Sequence, residues 1–366
     1  MNCNREGSHP LKFEKMEKRW VLYGSYGYTG NLIAEIASKR GANVTLSGRN
    51  EDKLRDQAER LGLDYEASDL ADTESMDHLL GRHDAVLHCA GPFIHTWQPM
   101  AEACLRNRCH YLDITGEIPV FESLKKLDPH FQKKNLMAMP GVGFDVVPSD
   151  CLASLLYKKL PDATHLELAI SGLGGGLSCG TAKTMIENLG SGGAVRIGGE
   201  IEQVPAAYLV RKIRFGDQWR TAVSIPWGDI STAYTSTGIG NIVVYAAVPK
   251  KMIQRMKWMN RLGPVVKNNR VKSFLNSQVE KGKPGPTKKE REKGESLVWG
   301  TVSNSKGDSV VALLKTMEGY RLTAETSSEI VHRVLSGNFR KGYQTPSLVY
   351  GGEFILEFEK SELNYL

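Results

Sequence analysis

The chain has 366 residues, 41% of them hydrophobic and 24% charged, with a net charge of +6. This is the balance of a globular protein of about two domains, with no apolar run approaching the ~20 residues of a membrane helix and too little charge to demand a nucleic acid. The six cysteines (Cys3, Cys89, Cys104, Cys109, Cys151, Cys179) contain no CxxC pair, so reduced thiols in the cytoplasm and no metal site are expected.

Residues 1–17 are polar and lack the apolar core of a secretory signal, which predicts a disordered tail. Trp20, Val21, Leu22 and Tyr23 then make a short apolar run suited to a buried parallel strand. Gly24, Gly27 and Gly30 follow at three-residue spacing, with Ser25, Tyr26, Tyr28 and Thr29 between them. Leu32, Ile33, Ile36 and Ala37 continue at helical spacing and Gly41 closes the helix. Glycines permit a tight turn and a close approach of backbone to ligand, and a helix start offers unpaired N–H groups and a positive dipole end. The spacing is GxxGxxG and not the GxGxxG fingerprint, so its weight comes from standing between a strand and a helix. Residues Gly24 to Gly30 are accordingly expected to cradle the phosphates of a dinucleotide.

The next strand, Val44 to Leu46, ends in Ser47-Gly48-Arg49-Asn50. An NAD site usually places Asp or Glu there to bind ribose hydroxyls. Ser47, Arg49 and Lys53 instead supply donors fit for a 2′-phosphate, so NADP(H) is the expected cofactor, the alternative being a solvated Arg49. From Glu51 strands and helices keep alternating. Asp69, just past the third strand, is a candidate for adenine contact or an exposed loop charge. The strand Ala85–Cys89 breaks into Ala90-Gly91-Pro92, where ribose and nicotinamide could lie against the backbone. Further strands end in Asp113, with Glu117 close behind, and at Pro140, with Gly143 and Asp145 beyond. Alternation over residues 18–150 predicts an α/β fold, a Rossmann-type doubly wound parallel sheet. Its strand ends should gather Gly91, Asp113, Glu117, Gly143 and Asp145 around one crevice, although each acid alone is more often a cap or a loop charge.

Beyond Leu160 the pattern changes. Thr164–Ser171 alternates as a half-buried strand, 172–176 is a glycine-rich loop, and Ser178 with Thr181 opens a helix that could hold an anion or could simply be capped. Strand-like segments recur at 209–215, 242–248, 297–303 and 309–315, the last two reading as a hairpin around Lys306-Gly307-Asp308. Residues 151–318 thus form a second, α+β domain. Within it, 250–293 holds 14 Lys and Arg against three Glu, a net of +11, while the remainder sums to −5. Met252, Met256, Met259, Leu262, Val265 and Val266 give its first part an apolar face, with Trp258 nearby. A solvated basic face, an anionic membrane surface and an acidic acyl carrier protein are its three possible roles.

The runs GSYGYTG, HCAGPF, HYLDITGE (His110 to Glu117), PGVGFDVVPSDC (Pro140 to Cys151) and IPWGDISTAYTSTGIGN (Ile225 to Asn241) together resemble the saccharopine dehydrogenase-like oxidoreductases. The basic PGP-containing loop and the closing GYQTPS (Gly342 to Ser347) add to the likeness, which extends over nearly everything after Met16 and is nearest to the trans-acting enoyl reductases. The resemblance implies a Rossmann NADP-binding domain and an inserted substrate domain that often mediates dimerisation. It also implies a return of 319–366 to the first domain through Ile330, Val331, Val334 and Leu335. The implied chemistry is reduction of a C=C bond in an acyl thioester or lipid intermediate by NADPH. Glu117, Asp145 and Asp113 are candidate proton donors, ahead of Tyr111 and His95. Two other readings stay open: a C–N oxidoreductase acting on an amino acid or imine, which would want a carboxylate-binding arginine such as Arg196, Arg211, Arg214 or Arg220, and a non-catalytic NADPH-binding sensor. The expected location is cytoplasmic, with peripheral membrane contact if the basic segment seeks one.

Overall fold

The computed structural model describes residues 18–172, 176, 178–260 and 268–366. The tail of 1–17, residues 173–175 of the glycine loop, and the side chains of Met259, Leu262, Val265 and Val266 lie outside the described residues.

The first unit alternates β1 (Trp20–Tyr23), α1 (Tyr28–Lys39), β2 (Val44–Gly48), α2 (Glu51–Leu61), β3 (Asp64–Ala67), α3 (Thr73–Leu80), β4 (Ala85–His88), α4 (Phe93–Asn107) and β5 (His110–Asp113). The helices α5 (Ile118–Lys126) and α6 (Asp128–Lys133) lead to β6 (Met137–Met139). The continuous apolar runs of β1, β4 and β6 are buried on both faces, as a sheet covered by helices on either side requires. These six strands and a seventh from far along the chain, Gly342–Tyr343, pair parallel throughout. Between β4 and β2 lies β1, so the strand order reverses beside it and opens a crevice at the carboxyl ends.

The boundary expected at residue 150 falls inside α7 (Val147–Lys159), whose Leu152 and Leu156 pack beneath Gly300 of the second sheet. That sheet is built from β7 (His165–Ser171), β8 (Gly193–Ile197), β9 (Glu200–Val204), β10 (Val210–Phe215), β11 (Gln218–Ser224), β12 (Asn241–Ala247), β13 (Glu295–Ser303) and β14 (Ser309–Met317), joined by one strand near the chain's end. Only β12 and β7 pair parallel within it, so the sheet is mixed. The hairpin of β13 and β14 turns at Gly307 as its sequence suggests. The strands β8, β9 and β11 are additions to the expected set. Among the described residues the helices of this unit are α8 (Cys179–Glu187), α9 (Asp229–Thr237), α10 (Lys250–Met259), α11 (Asn269–Glu280) and α12 (Lys288–Lys293).

The chain then returns through α13 (Gly319–Leu335), which lies against α1. Gly342–Tyr343 (β15) extends the first sheet beside β6, α14 (Pro346–Tyr350) follows, and Glu362–Tyr365 (β16) pairs with β14 of the second sheet. Asp150 of α7 fastens this return: it accepts from Ser347 N at 2.8 Å and from the Ser236 hydroxyl of α9, which also meets Thr345 Oγ1 at 2.6 Å. Among the described residues no helix is long and apolar enough to cross a membrane.

Candidate functional site: a dinucleotide crevice at the strand ends

The glycine turn is shaped by close approaches. Gly24 has φ +81° and faces Ala90 N at 2.9 Å from where a Cβ would stand, and a Cβ on Gly30 would overlap the Gly24 carbonyl. Gly24 N and Ser25 N both donate to Ser47 O, which ties the turn to β2. Ser25 is fully buried: its Oγ donates to Gln57 Oε1 at 2.8 Å, and Gln57 Nε2 donates back to Ser25 O at 2.9 Å. Gln57, absent from the sequence reading, therefore holds the turn from α2. At the start of α1 the cap residue Gly27 offers no side chain, the first turn carries no acid, and the amides of Tyr28, Thr29 and Gly30 meet no acceptor among the described residues. That bare, glycine-lined helix start fits a pyrophosphate.

At the end of β2, Arg49 is exposed and in no ion pair among the described residues, and Lys53 stands 5.7 Å over the Tyr26 ring. Tyr26 packs on Gly48, and its hydroxyl accepts from Arg49 N at 3.2 Å. Both cations and the phenol therefore gather at the end of β2. Ser47 is different: its side chain is fully buried and its Oγ has no partner, so its visible task is the backbone tie to the turn. Asp69 is exposed and its carboxylate accepts from Ala71 N at 2.9 Å, as a turn former does.

On the far side of the crevice Ala90, Gly91 and Pro92 form the break after β4, with a cis Gly91–Pro92 bond and Thr96 Oγ1 donating to Ala90 O at 2.8 Å. Glu117 reaches this loop from β5's end. Its two oxygens accept from Phe93 N at 2.8 Å and Ile94 N at 2.9 Å, so the carboxylate caps α4. Burial nonetheless raises its pKa, against the pull of those two amides.

Asp113 is fully buried and accepts from Tyr111 Oη at 2.6 Å, Thr115 N at 2.9 Å and Gly141 N at 2.9 Å. Burial lifts its pKa to about 6 despite these bonds. Asp145 alone of the three has no bonded partner among the described residues. It lies against Gly116, and burial, reinforced by the charge of Glu117, pushes its pKa up to about 7. Tyr111 is committed to Asp113, and exposed His95 stands 3.7 Å from Glu187 of α8.

The second unit closes the crevice with Trp227-Gly228-Asp229, at the head of α9. Gly228 sits against Phe121 and the Gly116 carbonyl. Asp229 is fully buried: Oδ2 accepts from Ser149 Oγ at 2.8 Å while Oδ1 stays unpaired, and burial raises its pKa well above the carboxylate range. Trp227 Nε1 is also buried without a partner. Neither residue stands out in the sequence except as part of the long 225–241 run. The start of α8 is filled by protein: Ser178 N donates to Tyr320 Oη, Cys179 N to Pro284 O, and Thr181 N to Ser178 Oγ. The four arginines considered as carboxylate anchors are likewise engaged. Arg196 is 4% exposed and bonded to Ile230 O, Gly199 O and Glu122; Arg211 pairs with Glu167, Arg214 with Gly216 O, and Arg220 with Ser171 Oγ.

Comparison with known proteins agrees with this geometry. Residues 20–139 match the saccharopine dehydrogenase NADP binding domain family. The chain is 30% identical over 157 residues to a trans-acting enoyl reductase of Mycobacterium leprae, a match covering 40% of this chain and 37% of that protein. It is 28% identical over 160 residues to a saccharopine dehydrogenase-like oxidoreductase of Mus musculus, covering 38% and 37%. These matches span less than half of each relative. Saccharopine dehydrogenase (L-Glu forming) from Saccharomyces cerevisiae superposes with a TM-score of 0.63 at 12% identity, covering 95% of this chain and 100% of the other. Homospermidine synthase from Legionella pneumophila, solved with NAD, gives 0.61 at 11% identity over 97% and 93%. Residues 20–139 thus match a saccharopine dehydrogenase NADP binding domain, and the chain as a whole shares the two-sheet fold of that dehydrogenase.

Proposed function

We propose that this protein is an NADPH-dependent oxidoreductase of the trans-acting enoyl reductase type, reducing a C=C bond of an acyl thioester or lipid intermediate. The observation that carries the reading is Asp145, an uncommitted carboxyl group with a pKa of about 7 among the strand ends that form the crevice. Bound NADPH supplies a hydride to the β-carbon of such a substrate. The chain's own part is to orient and to protonate. The turn from Gly24 to Gly30 holds the phosphates, Arg49 and Lys53 hold the 2′-phosphate, and Ala90 to Pro92 support the nicotinamide side. Asp145, still partly protonated near neutrality, gives its proton to the α-carbon and is recharged by solvent. Asp113 and Glu117, bonded on both oxygens, hold the loops in place.

The carboxylate pairs of Arg196, Arg211 and Arg214 weigh against those three as anchors of an amino-acid substrate and leave Arg220, bonded only to neutral oxygens, as the donor that reading would use. A short enoyl thioester offered with deuterated NADPH tests the proposal. One deuterium at the β-carbon and a solvent proton at the α-carbon are expected. Oxidation of NADPH by imines but not by any enoyl thioester would overturn it.

A further inference from the structure

The segment between α11 and α12 crosses the first turn of α1. Pro286 O accepts from the Tyr28 hydroxyl and from Arg291 Nη1 at 2.7 Å, and the same guanidinium donates to Tyr28 Oη at 2.8 Å. Gly285 lies flat on the Tyr28 ring, where a Cβ would come within 2.6 Å of Cε2. On its other side the ring meets Tyr320 edge-on, 5.0 Å between centroids. The segment is also fastened to α8: Cys179 N donates to Pro284 O, Lys183 pairs with Glu280, and Lys272 with Glu187.

Arg291 is in an unusual position for a cation. It is half-buried, no carboxylate lies within ion-pair distance of it among the described residues, and its hydrogen bonds go to neutral oxygens. Beside it α1 begins, with three unpaired amides and no acid in its first turn. The guanidinium bonds only Tyr28 Oη and Pro286 O; the charge of the buried Glu318 reaches it without pairing with it, and Tyr28 opens α1, so an anion at that helix start would find an unpaired cationic donor beside it.

We propose that Arg291 is a ligand of the dinucleotide's pyrophosphate, contributed by the second unit, and that Pro284 to Arg291 is the clasp that carries it there. The proposal rests on the NADP-binding assignment. It gives part of the basic segment a task at the cofactor, and it makes the site incomplete in the first unit alone.

Ligands that differ in one phosphate separate this role from others. In titrations of tryptophan fluorescence, Arg291→Gln should weaken NADPH and NADH alike, by about tenfold or more. Adenosine 2′-phosphate, which has no pyrophosphate, should bind that variant within about twofold of wild type. Arg291→Lys should recover part of the loss, and Gly285→Ala, which wedges the clasp off Tyr28, should repeat it. Trypsin cleavage within 281–293 should be slowed by NADPH in the wild type and not in Arg291→Gln. Unchanged dinucleotide affinity in Arg291→Gln would overturn the clasp, as would a parallel loss of adenosine 2′-phosphate, which marks a structural role. If the wild type bound neither dinucleotide, the NADP assignment would fall and the clasp with it.

Discussion

Three carboxyl groups gather behind neighbouring strand ends, but their bonding separates them. Asp113 and Glu117 each spend both oxygens on backbone amides or a phenol, whereas Asp145 spends neither. Its folded pKa of about 7 lies above the ordinary 3.8, so the stability tied to it is fully present below the lower value and is lost as pH rises through the upper one. Asp145→Asn should therefore stabilise the protein by about 1–3 kcal/mol near pH 8 and leave it nearly unchanged near pH 4, as denaturant midpoints would record. In the proposed reaction the same variant should lower kcat by about 10²-fold or more and abolish the fall in rate above neutrality. If Arg49 holds the 2′-phosphate as proposed, Arg49→Ala should cost about 1.5–3 kcal/mol of NADPH binding with NADH barely affected, measured by paired titrations. Position and chemistry were separable in the sequence for a physical reason. The glycine spacing and the missing acid after β2 are local signals, readable within ten or so residues. That Glu117 caps α4 depends on Phe93 N, 24 positions back, and that Asp145 lacks a partner depends on how three loops meet, so neither is written locally.

At the scale of elements, the first sheet was legible because β1, β4 and β6 are short apolar runs set between helices that repeat at 3.6 residues. The strands β8, β9 and β11 were not, because they begin or end in glycine, glutamate and glutamine and alternate weakly. β8 and β9 form one hairpin and β10 and β11 another, and single-sided contacts of β8 and β11 with β12 join both hairpins to the sheet. The capping of α4 by Glu117 can be tested alone: Glu117→Ala should lower stability by about 1–3 kcal/mol and increase hydrogen exchange at Phe93 and Ile94, with β2 unaffected. Within α10 the sequence pattern was half right. Ile253 and Met256 turn inward against Ala207 and Val223, whereas Met252 and Trp258 remain 44% and 59% exposed beside Lys250, Lys251, Arg255 and Lys257.

For the whole molecule, that exposed helix offers a basic and apolar surface on the second unit, while the clasp uses the other end of the same basic segment. Charge reversal at Lys250, Lys251, Arg255 and Lys257 should leave folding and NADPH affinity intact. It should reduce sedimentation with anionic liposomes, or raise KM for a carrier-bound substrate but not for a short thioester, with both effects fading as salt increases. If neither moves at low salt, the surface is only solvated.

The chain's last strands have a consequence for how the protein can be cut. Because β15 covers the outer edge of β6 and β16 covers β14, a fragment ending near residue 150 would bare a row of unpaired amides and carbonyls along β6. Such an edge recruits other copies of itself. The dinucleotide-binding half should therefore precipitate when made alone and stay dispersed when residues 337–350 are grafted back through a short linker.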